Sequence, residues 1–240
     1  MSHSIRLNNG VEMPMIGFGT YQIPASKTAR CVADSLSVGY RLIDTAQCYG
    51  NESEVGEAVR ASGIPREEIF ITTKLWGIRG FNDSVVSIDK SLKRLDTYID
   101  LLLIHEPTGN YHEIYRAMEK ALADGKVRSI GVANFIGKTF TDLADNCDVV
   151  PAVNQIETHV FRQQESMKKL LADYGTVLQS WSPLACGQNG IFQNPVLKQI
   201  ADKHDKTIAQ VSLRWSIQRG LSLIFGQFVK KSKEILDYLV

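Results

Sequence analysis

GYRLIDTAQCYGNESEVG, residues 39–56, is the stretch on which the reading of this chain turns. It opens as a short apolar strand, residues 41–43, and closes that strand on an acid, Asp44. It then crosses a turn carrying Tyr49, Gly50 and Asn51, and a helix begins near Glu52. Two later strands end on chemistry in the same way. ITTKL reaches Lys74 and DLLLIH reaches His105. Polar groups at the carboxyl ends of successive strands are where an α/β barrel keeps its active site. Asp, Tyr, Lys and His placed there form a site for moving a proton.

The pattern repeats outward from that stretch. Strand-like segments fall at 16–20, 41–44, 69–75, 99–105, 127–133, 149–156, 177–181 and 221–225. Helix-like segments lie between them at 27–38, 53–61, 83–94, 113–124, 137–145, 163–174, 196–204 and 207–218. Strands alternating with amphipathic helices imply parallel βαβ units. Eight strands with no break in rhythm predict one closed (β/α)8 TIM barrel, a single domain over 1–240. Residues 5–11 predict an N-terminal β-hairpin, with Asn9-Gly10 supplying the positive φ angles of its turn. Gly17-Phe-Gly19 lacks the third glycine and the following helix of a dinucleotide fingerprint, so it reads as a tight first strand-to-helix turn.

Lys+Arg 27 against Asp+Glu 26 leaves a net charge of +1, which offers no global field to nucleic acid or a membrane surface. Cys31, Cys48, Cys147 and Cys186 are scattered, without zinc spacing, and read as reduced thiols of a cytoplasmic protein. Residues 1–16 lack the apolar core of a signal peptide, and no apolar run approaches the ~20 residues of a membrane span. The expectation is a soluble monomer with a small-molecule substrate and no metal.

At the level of motifs the chain resembles the aldo-keto reductases over nearly its whole length. The matching stretches are MPMIGFGTYQ (13–22), the opening stretch (39–56), IFITTKLW (69–76), IDLLLIHEP (99–107), GKVRSIGVANF (125–135), PAVNQIE (151–157), WSPL (181–184) and SLRWSIQRG (212–220). The resemblance implies reduction of a carbonyl by hydride from NADPH, with a catalytic tetrad of Tyr49, Asp44, Lys74 and His105. Tyr49 would be the proton donor. Free tyrosine, with a pKa of about 10, donates poorly at neutral pH, and a neighbouring ammonium improves it. Lys74 would supply that ammonium, Asp44 would hold it charged, and His105 would orient the substrate oxygen.

The resemblance also assigns a nicotinamide site to Asn134 and Gln155, with Ala133 where the family carries a serine. Trp181 falls where the family stacks an aromatic ring on the nicotinamide. Ser182 and Leu184 follow it, leading into a loop, 185–190, like the one that lies over the cofactor pyrophosphate. Tyr21, Trp76 and His105 are the substrate-pocket candidates. Glu106 stands where many relatives have an aromatic and reads as solvated rim. The tail departs from the pattern: the phosphate-gripping segment is replaced by Ile224-Phe-Gly-Gln227, followed by an abbreviated helix of about 231–239. Lys230 and Lys231, with Lys233 beyond, are the candidate replacements, although lysines on an exposed helix are more often only solvated. The altered tail keeps a second expectation open, a nucleotide-binding or regulatory barrel with little turnover.

Overall fold

The computed structural model describes residues 4–226. The chain opens with a two-stranded antiparallel hairpin, β1 (Ser4–Arg6) and β2 (Glu12–Pro14). It continues through β3 (Ile16–Gly19), α1 (Ala25–Ser37), β4 (Leu42–Asp44), α2 (Glu52–Ala61), β5 (Phe70–Leu75), α3 (Phe81–Leu95), β6 (Ile99–Ile104), α4 (Tyr111–Ala123) and β7 (Val127–Ala133). After these come α5 (Lys138–Ala144), β8 (Val153–Glu157), α6 (Glu165–Asp173), β9 (Val177–Trp181), α7 (Pro195–Lys203), α8 (Ile208–Gln218) and β10 (Ser222–Phe225). The eight strands β3 to β10 pair in parallel and close on themselves in the order β10-β3-β4-β5-β6-β7-β8-β9. This is the (β/α)8 barrel that the alternation predicts.

Side chains alternate between the two faces of each strand, and in a barrel those faces meet different surroundings. Leu42, Phe70, Leu101, Leu103, Val153 and Ile224 point inward and form the inner core with Met13 of the hairpin. Ile43, Ile71, Leu102, Ile104, Ile130 and Ile156 point outward and pack with the helices. Each such side chain, fully buried, contributes about 1.5–3 kcal/mol. The same period of two fixes the site. Asp44 follows Leu42 on the inner face, Lys74 follows Phe70 and Thr72, Gln155 follows Val153, and Gln179 follows Val177.

The ring of helices is tight at one point. A Cβ at Gly56 of α2 would stand 2.2 Å from the Leu95 carbonyl oxygen at the end of α3, so only glycine lets the two helices approach this closely.

Two local differences from the sequence reading appear. The predicted strand at 149–156 begins only at Val153, because Pro151 has no N–H to give a ladder. The hairpin strands lie outside residues 7–11, which form the turn, and of Asn9 and Gly10 only Gly10 has positive φ (86°). Asn9 instead reaches the barrel floor, donating to the Arg128 carbonyl (2.9 Å) and to Ser129 Oγ (3.0 Å). The abbreviated helix at about 231–239, with Lys230 and Lys231, lies outside the described residues.

Candidate functional site

The inner face of the barrel becomes polar toward the carboxyl ends of its strands. Asp44 and Lys74, 3% and 1% exposed, form an ion pair through Asp44 Oδ1. Lys74 Nζ also donates to the Thr45 carbonyl at 3.0 Å. Burial works against the ammonium, but Asp44 and then Tyr49 more than offset it, and the Lys74 pKa is raised. A buried pair of this kind keeps both charges only because each has its partner.

Tyr49 is carried on a single helical turn, Gln47–Tyr49, that ends on Gly50 at φ 67°, a left-handed position suited to glycine. Two polar side chains fasten that turn. Gln47 Nε2 donates to Ser87 Oγ (2.8 Å) and Ser91 Oγ (2.9 Å) on α3. Asn51, fully buried, accepts from Thr45 Oγ1 at 2.8 Å and donates to the carbonyls of Ile23 (3.1 Å) and Thr20 (3.2 Å). Glu52 beside it is also buried, accepting from Thr73 Oγ1 (2.6 Å) and pairing with Arg94 (2.8 Å). The sequence reading took Asn51 and Glu52 for turn and helix start; their burial was the missed part.

Four rings cross the mouth. Tyr21 and Tyr49 have centroids 5.1 Å apart, Tyr49 and His105 5.7 Å, and His105 and Trp76 5.0 Å. Tyr21 and Trp76 are exposed. Lys74 Nζ stands 5.2 Å from the Tyr49 ring centroid. Burial raises the Tyr49 pKa more than Lys74 lowers it, so the net direction is up, opposite to the expectation from the ammonium alone. Burial and the Lys74 charge push His105 down to about 3, so its imidazole is neutral at ordinary pH. Cys48 Sγ lies 3.5 Å from His105 Nδ1.

The second half of the barrel brings Asn134, Gln155 and Trp181 to the same end. Trp181 Nε1 donates to Asn134 Oδ1 at 2.9 Å. Asn134 Nδ2 donates to Glu106 Oε1 at 2.7 Å and to the His105 carbonyl at 3.1 Å. Glu106 is thus a fixed partner rather than free rim, and burial raises its carboxyl pKa. Gln155 Nε2 donates to Asp44 Oδ2 at 2.8 Å and to Gln179 Oε1 at 2.7 Å. Ala133 is buried in the inner core. Ser182, at φ 53°, has Oγ 3.0 Å from Cys186 Sγ, while Leu184 packs on the outer core. The loop they lead into places Ala185, Cys186, Gly187, Asn189 and Gly190 at positive φ.

The parallel barrel thus gathers a buried Asp–Lys pair, a tyrosine and a neutral histidine at its C-terminal mouth, the end where such barrels carry their sites. The chain belongs to the Aldo/keto reductase family, whose sequence profile matches residues 15–239. A glyoxal reductase of Bacillus subtilis is 41% identical over 228 residues, covering 93% of this chain and 82% of the relative. A morphine 6-dehydrogenase of Pseudomonas putida is 41% identical, covering 92% and 80%. Among solved structures, an aldo-keto reductase from a Medee basin deep-sea metagenome library superposes with a TM-score of 0.95 at 41% identity, covering 98% and 89%. A Bombyx mori aldo-keto reductase in complex with NADP gives 0.91 at 32%, covering 98% and 87%. Among the described residues no helix is long and apolar enough to cross a membrane.

Proposed function

We propose that this protein reduces an aldehyde or ketone to an alcohol with NADPH, with Tyr49 as the proton donor. The observation that carries the reading is the buried Asp44–Lys74 pair beside Tyr49 and His105 at the mouth of the barrel.

When bound, a nicotinamide supplies the hydride, which no side chain can donate. The residues present fit such a group. Gln155 spends both amide hydrogens on Asp44 and Gln179, which leaves its oxygen as the end able to accept from a carboxamide N–H2. Trp181 is tethered by its indole N–H, so its ring is held in one orientation and remains partly exposed. Asn134 already donates both hydrogens within the protein, so its share of the grip requires exchange with Glu106.

Tyr49 does the work at the carbonyl. As charge grows on the substrate oxygen, its O–H donates, and Lys74 stabilises the phenolate left behind. Asp44 favours that ammonium in a site where burial alone would lower its pKa. The raised pKa of Tyr49 means that its proton is present across the neutral range. His105, neutral, can hold the carbonyl oxygen by an N–H without a competing positive charge. The exposed rings of Tyr21 and Trp76 offer apolar walls to the rest of the substrate.

The test is loss of reduced-nicotinamide absorbance when the purified protein meets a panel of aldehydes and ketones with NADPH and, separately, NADH. Turnover with NADPH supports the reading. Tight cofactor binding without turnover on any carbonyl would support the regulatory alternative instead.

A further inference from the structure

The tetrad is not the end of the polar system inside the barrel. Asp44 sits on β4 and Gln155 on β8, four strands away in an eight-stranded ring and therefore across the barrel. Gln155 Nε2 nonetheless reaches Asp44 Oδ2 at 2.8 Å, covering the oxygen that Lys74 does not. On its other side the same nitrogen reaches Gln179 Oε1 at 2.7 Å, on the neighbouring strand β9 and in register. Gln179 Nε2 then donates to Ser222 Oγ on β10 at 3.0 Å and contacts Met13 Sδ of the hairpin at 3.6 Å. Gln155 is 3% exposed, and Gln179, Ser222 and Met13 are fully buried.

An amide can turn either end toward a neighbour, and a turned Gln155 would set its oxygen against the Asp44 carboxylate. The Asp44 carboxylate only accepts and so selects the N–H2 end, and the partners on the far side agree. The Met13 thioether only accepts, so the Gln179 N–H2 is matched there and to Ser222 Oγ, with its oxygen toward Gln155. Gln155 then lies between two acceptors and must place its N–H2 between them. We infer that Gln179 is a positioning residue of the active site, whose oxygen, oriented by Ser222 and Met13, helps to hold the Gln155 N–H2 on Asp44. The inference rests on the reductase reading for its effect on turnover, but the hydrogen-bond order itself does not.

The variant that removes the acceptor at similar volume is Gln179→Met. It should lower kcat by up to about tenfold, the upper end for one neutral hydrogen bond, as Gln155 loses the partner that steadies it on Asp44, with the KM for the carbonyl changed less than about twofold. Gln155→Met should lower kcat as well, and Gln179→Met should then add nothing further, because its route is gone. Gln179→Glu, kept protonated by burial, retains both an acceptor and a donor and should restore most of the wild-type kcat at mildly acidic pH. The second measurement needs no activity. The Gln155 side-chain amide resonances, identified by their loss in Gln155→Met, should exchange slowly with solvent in wild type and lose that protection in Gln179→Met. Additive losses of kcat, or protection unchanged in Gln179→Met, would overturn the inference. A wild type that turns over no carbonyl but shows the protected amide would sink the reductase reading and leave the hydrogen-bond chain standing.

Discussion

Removing the Lys74 ammonium tests the site without needing turnover. Lys74→Met keeps the length of the side chain and deletes its charge, leaving Asp44 in the barrel interior with the Gln155 amide as its remaining side-chain donor. Both members are almost fully buried, with side-chain exposures of 1% and 4%, so solvent does not screen the loss. Breaking a buried pair from one side costs about 3–5 kcal/mol. Against a total stability of about 5–15 kcal/mol that is a large fraction. Asp44→Asn should cost a similar amount by stranding the ammonium. The double variant Lys74→Met/Asp44→Asn strands neither charge of the pair, so it should recover at least about 2 kcal/mol of the summed losses. Urea unfolding followed by tryptophan fluorescence measures all four proteins. Additivity within about 0.5 kcal/mol would show that the two residues do not form a working pair.

His105 gives a test by pH. Its pKa of about 3 in the folded state lies below the value near 6.5 of the unfolded chain, so the unfolded state takes up a proton first as pH falls. Stability from the neutral ring is present above about pH 6.5 and is lost toward pH 3; unfolding midpoints of His105→Gln should therefore gain on wild type between about pH 7 and 4.5, and a constant gap refutes this. Ala133→Ser adds a hydroxyl where the family carries one; it should tighten NADPH binding several-fold in a fluorescence titration, from about 0.5–1.5 kcal/mol for one hydrogen bond, and no gain would mean the carboxamide is already satisfied. Replacing Lys230, Lys231 and Lys233 by alanine should weaken NADPH relative to NADH and flatten the salt dependence of its binding; an unchanged, salt-insensitive preference would exclude these lysines.

The fold was legible because the inner and outer faces of each strand carry different residues. Leu42 and Asp44 face in while Ile43 faces out, and Leu101 and Leu103 face in while Leu102 and Ile104 face out. The strand-end positions were legible for the same reason, since the inward period carries Asp44, Lys74 and Gln155 toward the carboxyl ends of β4, β5 and β8. What the sequence left hidden were partners. Gln155 and Asp44 are 111 residues apart, and no local pattern announces a bond across the barrel. Gln179 did carry a signal, a polar residue at an inward position between Val177 and Trp181. Glu106 carried none, because its role follows from the side chain Asn134 sends back to it at 2.7 Å. The direction of the Tyr49 pKa was misjudged from charge alone, as burial outweighs the neighbouring ammonium.

The central claim is that the Tyr49 hydroxyl delivers the proton, and single-turnover reduction of an aldehyde by the preformed NADPH complex of Tyr49→Phe tests it most directly. The substitution removes one oxygen from a turn held by Gln47 and Asn51, so fold and NADPH affinity should match wild type. The hydride-transfer step should slow by about 10²–10⁴-fold, the contribution of a positioned general acid. Wild-type turnover in a variant that binds NADPH normally would contradict the account.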